Sequence, residues 1–187
     1  MTEKKGIAVF LDRDGTVNVD YGFMSKPEDV KLLPGVCEAI RCLNQERIPA
    51  FIISNQSGVG RGLYGLEAVA AVNREVERQL AGEVAAVKAF YFCPHAPEAG
   101  CNCRKPKLGM LAKAVQDWGT DLSRSYVVGD KPSDAELGRN AGGKGIIVLT
   151  GQSQREEVAS WAVQPDYVAR DLLVAVEWIL EDIKKGP

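Results

Sequence analysis

Short apolar runs recur along the chain, and between them apolar residues return every three to four positions. The runs are Ile7–Leu11, Ala50–Ile53, Ala89–Phe92, Tyr126–Val128, Ile146–Leu149 and Tyr167–Val168. Each has the length of a strand covered on both faces, where polar alternation disappears because neither side meets water. The intervening segments Val36–Gln45, Leu66–Leu80, Met110–Trp118, Asp134–Ala141 and Leu172–Ile183 carry their apolar residues on one helical stripe. This alternation predicts an α/β fold with a mainly parallel sheet. No repeat, low-complexity tract or linker divides the 187 residues, so residues 1–187 are expected to form one domain. Two longer irregular pieces, Val17–Pro34 and Pro94–Pro106, follow the first and third strands, and loops of that length in a compact domain tend to be functional.

Ligands of open parallel sheets sit at the carboxyl ends of the strands. Three polar clusters fall there: Asp12-Arg13-Asp14, Ser54-Asn55-Gln56-Ser57 and Asp130-Lys131. In an extended chain residues two apart face one side, so Asp12 and Asp14 are expected to leave the strand together and, with Asp130, to hold a magnesium ion. Gly15 then allows a sharp turn and Thr16 offers a hydroxyl beside it. An anionic phosphate ester can be attacked by a carboxylate only where cations offset the repulsion. Magnesium, Lys105 and Lys131 would supply that charge, and Ser54 with the amides around Asn55 would hold phosphate oxygens as a small nest. Asp12, rigid at the strand end, is the expected nucleophile, and Asp14 the group that protonates the leaving oxygen and then deprotonates water. Asp134 either orients the metal shell or is an ordinary first-turn acid of the helix that follows.

Cys93, His95, Cys101 and Cys103 fall within one loop, and His95 is the only histidine. Four protein donors of this kind predict one tetrahedral Cys₃His zinc with no open position, hence a structural zinc. The spacing is tighter than in ordinary zinc fingers. Such an ion would fix a loop with few apolar side chains, residues 93–106, and place Arg104 and Lys105 just beyond its last ligand. Cys37 and Cys42 lie in a helical pattern and are expected to be reduced core thiols.

The 25 acidic and 23 basic side chains give a net charge of −2, which offers no broad basic surface for nucleic acid. Met1–Gly6 lacks a secretory apolar region and no run approaches the roughly 20 residues of a membrane span, so a cytoplasmic protein without a membrane partner is expected. Nothing in the sequence demands more than a monomer. A module that only binds phosphosugars fits poorly, because anion binding would not gather three repelling carboxylates, Asp12, Asp14 and Asp130.

Taken together, Asp12-Arg-Asp-Gly-Thr, Ser54, Lys105 and Gly129-Asp130-Lys131-Pro-Ser-Asp134 resemble, in order and spacing, the four motifs of the haloacid dehalogenase (HAD) superfamily of phosphatases. That resemblance covers nearly the whole chain. It implies a Rossmann-like three-layer sandwich with a minimal cap, a first aspartate that acts as nucleophile and a second that acts as acid and base. Within the superfamily, the loop Cys93-Pro-His…Cys-x-Cys-Arg-Lys-Pro, Asn18-Val-Asp-Tyr-Gly and Asn55-Gln-Ser-Gly-Val-Gly-Arg look like those of the heptose bisphosphate phosphatases. This implies a small phosphorylated sugar as substrate, loss of its 7-phosphate, and contacts to it from Asp20, Tyr21, Gly22, Phe23, Ser54, Asn55, Gln56, Ser57, Arg104, Lys105 and Lys131. The zinc loop is shorter here than in some relatives. Arg61, Arg104, Lys105, Lys107 and Lys131 exceed what one phosphate requires, although Arg61 and Lys107 fit a solvated surface equally well. Histidinol-phosphate phosphatases share a similar zinc loop but more often show Asn-Gln-Asp-Gly where this chain has Ser57, and a carboxylate there would suit a substrate amine. Polynucleotide 3'-phosphatases resemble the second motif, but the chain lacks the basic and aromatic stripes that a strand would need.

Overall fold

The computed structural model describes residues 6–186. Six strands form one sheet: β1 (Val9–Asp12), β2 (Ala50–Asn55), β3 (Ala89–Cys93), β4 (Tyr126–Gly129), β5 (Lys144–Val148) and β6 (Tyr167–Ala169). Their order is β3-β2-β1-β4-β5-β6, and every pairing is parallel. All six predicted strands and all five predicted helices are present, the latter as α1 (Val36–Gln45), α3 (Leu66–Gly82), α4 (Gly109–Trp118), α5 (Pro132–Asn140) and α7 (Leu172–Lys185). Two four-residue turns of helix, α2 (Ser57–Gly60) and α6 (Arg155–Val158), have no counterpart in the apolar pattern, because one turn is too short to show a period.

Alternate residues of β1, with Ala8 leading into it, feed the two sides of the sheet. Val9 and Leu11 pack with Ile40 and Leu43 of α1, Val72 and Val76 of α3 and Val176 and Ile179 of α7. Ala8 and Phe10 pack on the opposite side with Phe51, Ile53, Leu111 of α4 and Leu137 of α5. Helices on both faces explain why the strands read as continuous apolar runs. β1 sits at the centre, with Val9 in register with Ala50 of β2 and with Tyr126 of β4. The chain winds outward from β1 in both directions, so the carboxyl ends of β1 and β4 border the crevice where such sheets bind ligands. Among the described residues, no helix is long and apolar enough to cross a membrane.

Candidate active site

Asp12 reaches this crevice as the last residue of β1, braced by β2 and β4. Its Oδ1 accepts from Lys105 Nζ at 2.8 Å and from the Arg13 amide at 2.8 Å. Lys105 Nζ also donates to Asp134 Oδ1 at 2.6 Å, so one buried ammonium joins the carboxylate at the end of β1 to one in the first turn of α5. Burial pushes Asp12 up to about 7 against the pull of Lys105, and the charges of Asp134 and Asp130 add to the rise. For Lys105, burial works against the charged form, but Asp12 and Asp134 outweigh it and hold the ammonium above its ordinary value.

Asp130 follows β4 and is fully buried. Its Oδ2 accepts from the Gln152 amide at 2.9 Å, whereas its Oδ1 has no hydrogen-bond partner. Asp134, in the first turn of α5, turns Oδ2 back to the Lys131 amide at 3.1 Å, so it caps its helix and faces the crevice at once. Asp12, Asp130 and Asp134 each offer an oxygen within 4.8 Å of the others. Three carboxylates, one of them with a buried oxygen that accepts no hydrogen bond and has Lys131 Nζ 3.9 Å away, form a hard donor set that fits magnesium.

The Asp14 carboxylate, expected in that set, is not among the three that converge, whereas Asp134 is. β1 ends at Asp12, so the strand's alternation does not extend to Asp14; Gly15, at φ 89°, turns the chain instead. Asp14 accepts from Arg13 Nε at 3.1 Å, Arg13 Nη2 at 3.0 Å, Asn18 Nδ2 at 2.9 Å and Gln56 Nε2 at 3.0 Å. Burial alone would raise this carboxyl, but the Arg13 charge and these bonds prevail and hold it below its ordinary value.

Cys93, at the end of β3, His95, Cys101 and Cys103 also converge, with donor atoms within 4.8 Å of one another. His95 presents Nδ1, 3.6 Å from Cys93 Sγ and 3.3 Å from Cys103 Sγ, and the sulfur separations are 3.2 to 3.5 Å. These approach the about 3.8 Å edge of a tetrahedron with zinc–sulfur bonds, so the donor set fits zinc. The loop is tied to the crevice. The Asn55 side chain accepts from the Lys105 amide at 3.1 Å, Gln56 N–H donates to Cys93 O at 2.8 Å, and Gly60 N–H donates to Pro94 O at 2.8 Å. A Cβ on Gly60 would stand 2.5 Å from Ala96 N, so only glycine permits this approach.

Residues 102–175 match the family model described as "HAD-hyrolase-like". The D-glycero-D-manno-heptose-1,7-bisphosphate 7-phosphatase of Thermosynechococcus vestitus is 45% identical over 92% of this chain and 94% of its own length. The chain belongs to the heptose bisphosphate phosphatase family of the HAD superfamily. The D-glycero-beta-D-manno-heptose-1,7-bisphosphate 7-phosphatase of Haemophilus influenzae is 35% identical over 95% of this chain and 98% of its own. A crystal structure of D,D-heptose 1.7-bisphosphate phosphatase from B. bronchiseptica, complexed with magnesium and phosphate, superposes with a TM-score of 0.86 at 34% identity, covering 94% of this chain and 99% of that one.

In this member of the heptose bisphosphate phosphatase family, Asp12 and Asp14 line a cavity of about 300 Å³. Of the expected substrate contacts, Asp20, Gly22, Phe23, Ser54, Asn55, Gln56, Ser57, Arg104, Lys105 and Lys131 line it. Tyr21 does not; its side chain points to solvent, 61% exposed. Arg104 has a buried Nη1 without a hydrogen-bond partner, as a receptor for an anion requires. Arg61 and Lys107 are absent from the lining. Arg61 lies 3.9 Å from Glu98, and Lys107 donates to the carbonyls of Gly100 and Cys101, so both serve the cysteine-bearing loop. Three residues of the site carry no signal in the apolar pattern: Arg13, which grips Asp14; Tyr64, whose hydroxyl meets Gln56 Oε1 at 3.1 Å; and Gln152, whose Nε2 donates to Asp20 at 2.8 Å.

Proposed function

We propose that this protein removes the 7-phosphate of D-glycero-D-manno-heptose 1,7-bisphosphate through an aspartyl-phosphate on Asp12. The observation that carries the reading is the buried group Lys105–Asp12–Asp134, with Asp130 beside it, of which Asp12 and Lys105 line a cavity together with Arg104, Lys131, Ser54 and Ser57. Family membership and the substrates named for its relatives support the choice of sugar.

Lys105 and the Arg13 amide both hold Asp12 Oδ1, which leaves Oδ2 for attack on phosphorus. As that oxygen–phosphorus bond forms, the bond from phosphorus to the sugar oxygen breaks, and the sugar oxygen takes its proton from Asp14, which must first exchange its bonds from Arg13, Asn18 and Gln56 for a proton. Water then bonds to phosphorus, gives a proton to Asp14, and the Asp12–phosphorus bond breaks to release inorganic phosphate. Magnesium, held by Asp12, Asp130 and Asp134, would offset charge on the phosphoryl oxygens. Lys105 adds a fixed positive charge, while Arg104 and Lys131, which line the same cavity, would meet the remaining phosphate and hydroxyls of a bisphosphate. Zinc on Cys93, His95, Cys101 and Cys103 would keep Arg104 and Lys105 in place, and a monomer working in the cytoplasm suffices for this chemistry.

The test is Asp12→Asn, with kcat/KM measured for both anomers of the heptose bisphosphate, histidinol phosphate and fructose 1,6-bisphosphate. The wild type is expected to prefer a heptose bisphosphate, and the variant to keep its fold with less than about a thousandth of the rate. Preference for histidinol phosphate, or a substantially active variant, would overturn the reading.

A further inference from the structure

The loop between β5 and α6 holds none of the residues expected at the site, yet its backbone and hydroxyls are bound to the site at three points. Thr150 Oγ1 donates to Gly15 O at 2.7 Å, the Gln152 amide to Asp130 Oδ2 at 2.9 Å, and Ser153 Oγ to Asp130 O at 2.5 Å. A Cβ on Gly151 would stand 2.0 Å from Asp130 Oδ2, so glycine lets the backbone come this close. The Gln152 side chain is left free of that task, and it lines the cavity. Its Nε2 donates to Asp20 Oδ2 at 2.8 Å.

Asp20 has a side chain only 7% exposed, and both of its oxygens are engaged. Oδ1 accepts from the Gly22 amide at 2.8 Å, while Oδ2 accepts from Lys131 Nζ at 3.1 Å as well as from Gln152. One carboxylate thus joins the loops that follow β1, β4 and β5. Lys131 Nζ also lies 3.9 Å from Asp130 Oδ1, so its charge already faces two carboxylates. A second phosphate is better served by Arg104, whose buried Nη1 has no partner. Asp20 and Lys131 together offer acceptor and donor with little net charge, which suits neutral hydroxyls. An ammonium on a flexible stem fixes direction poorly, whereas a planar amide on an anchored loop supplies it.

We propose that Gln152 is a positioning residue for substrate selection: its side chain holds Asp20, and through Asp20 the Lys131 ammonium, where the pair receives the hydroxyls of the sugar. The proposal rests on the reading that the cavity takes a phosphorylated sugar. Gln152 takes no part in bond making or breaking, so its loss is felt in sugar binding more than in phosphoryl transfer.

The experiment measures kcat and KM of the magnesium-loaded full-length enzyme and its Gln152→Ala, Gln152→Glu and Gln152→Lys variants, with the heptose bisphosphate and with p-nitrophenyl phosphate, which has no sugar hydroxyls. Gln152 is exposed and its amide persists in every variant, so the bond to Asp130 is spared. In Gln152→Ala the ratio of kcat/KM for the two esters should fall by about five- to tenfold, with the loss in the KM for the sugar. Gln152→Glu keeps the shape but cannot donate to Asp20, and should lose at least as much. Gln152→Lys restores a donor and should return the ratio to within about threefold of wild type. In an Asp20→Ala background, Gln152→Ala should cost less than about twofold, because the partner through which it acts is gone. Equal losses with both esters, Gln152→Lys no better than Gln152→Ala, or additive losses in the double variant would overturn the positioning role alone. A wild type that turns over other esters but not the heptose bisphosphate would overturn the substrate reading, and the proposal with it.

Discussion

The ammonium of Lys105 stands 2.8 Å from Asp12 Oδ1, with both side chains almost wholly out of solvent. In such surroundings a charge cannot be replaced by water, and negative charge accumulates at this point as the phosphoryl group transfers. Lys105→Met should lower kcat by about 100- to 1,000-fold while circular dichroism stays that of the wild type. A loss under about tenfold would mean that Lys105 organises the carboxylates without acting on the phosphoryl group.

Asp130 keeps a buried oxygen without a hydrogen-bond partner, as a metal ligand would. Asp130→Asn should raise the magnesium concentration for half-maximal rate by at least about tenfold. An unchanged magnesium titration would remove Asp130 from the ligand set.

Cys103 immediately precedes Arg104 and Lys105, so its sulfur anchors the start of the cationic segment. Elemental analysis should find about one zinc per chain in the wild type and markedly less in Cys103→Ser, with lower thermal stability and lower kcat in the variant. A zinc-free preparation that is fully stable and active would contradict the structural role of the loop.

Away from the site, Asp182 on α7 accepts from Lys144 Nζ at 2.6 Å and from the Tyr126 hydroxyl at 2.7 Å. Partial burial would raise its carboxyl, but the bonds from Lys144 and Tyr126 dominate and leave it below the ordinary value of 3.8. A carboxyl depressed in the folded state adds stability above its unfolded value and loses it as the pH falls through the folded one. Denaturant titrations should therefore show a difference of about 1 kcal/mol between wild type and Asp182→Asn near pH 7, shrinking as the pH falls below the ordinary carboxyl value and gone once the folded carboxyl is protonated too. A difference that persists at low pH would trace the effect to packing instead of charge.

Periodicity alone revealed the layers and the strand ends, because every strand is covered on both faces and each long helix has one buried stripe. The short helices α2 and α6 escaped it, being a single turn each. The carboxylates show where such reasoning stops. Asp14 was placed by the two-residue repeat of an extended chain, but the chain has already left the sheet, and hydrogen bonds from Arg13, Asn18 and Gln56 decide its direction. Asp134 had two meanings in the sequence, helix cap or metal-shell residue; its Oδ2 caps α5 by accepting from the Lys131 amide, and its Oδ1 accepts from Lys105. Arg13 lay between two recognised acids, yet nothing in its spacing announced a buried fork. The convergence of Cys93, His95, Cys101 and Cys103 was legible because metal donors of those types rarely crowd one short window by chance.

The contact of Gly60 with Pro94 and Ala96 makes the turn after β2 and the cysteine-bearing loop halves of a single wall. Neither half can be lengthened, shortened or exchanged for a relative's without opening a seam beside Lys105. Any redesign of which ester this protein accepts would have to transplant the two segments jointly, as one graft.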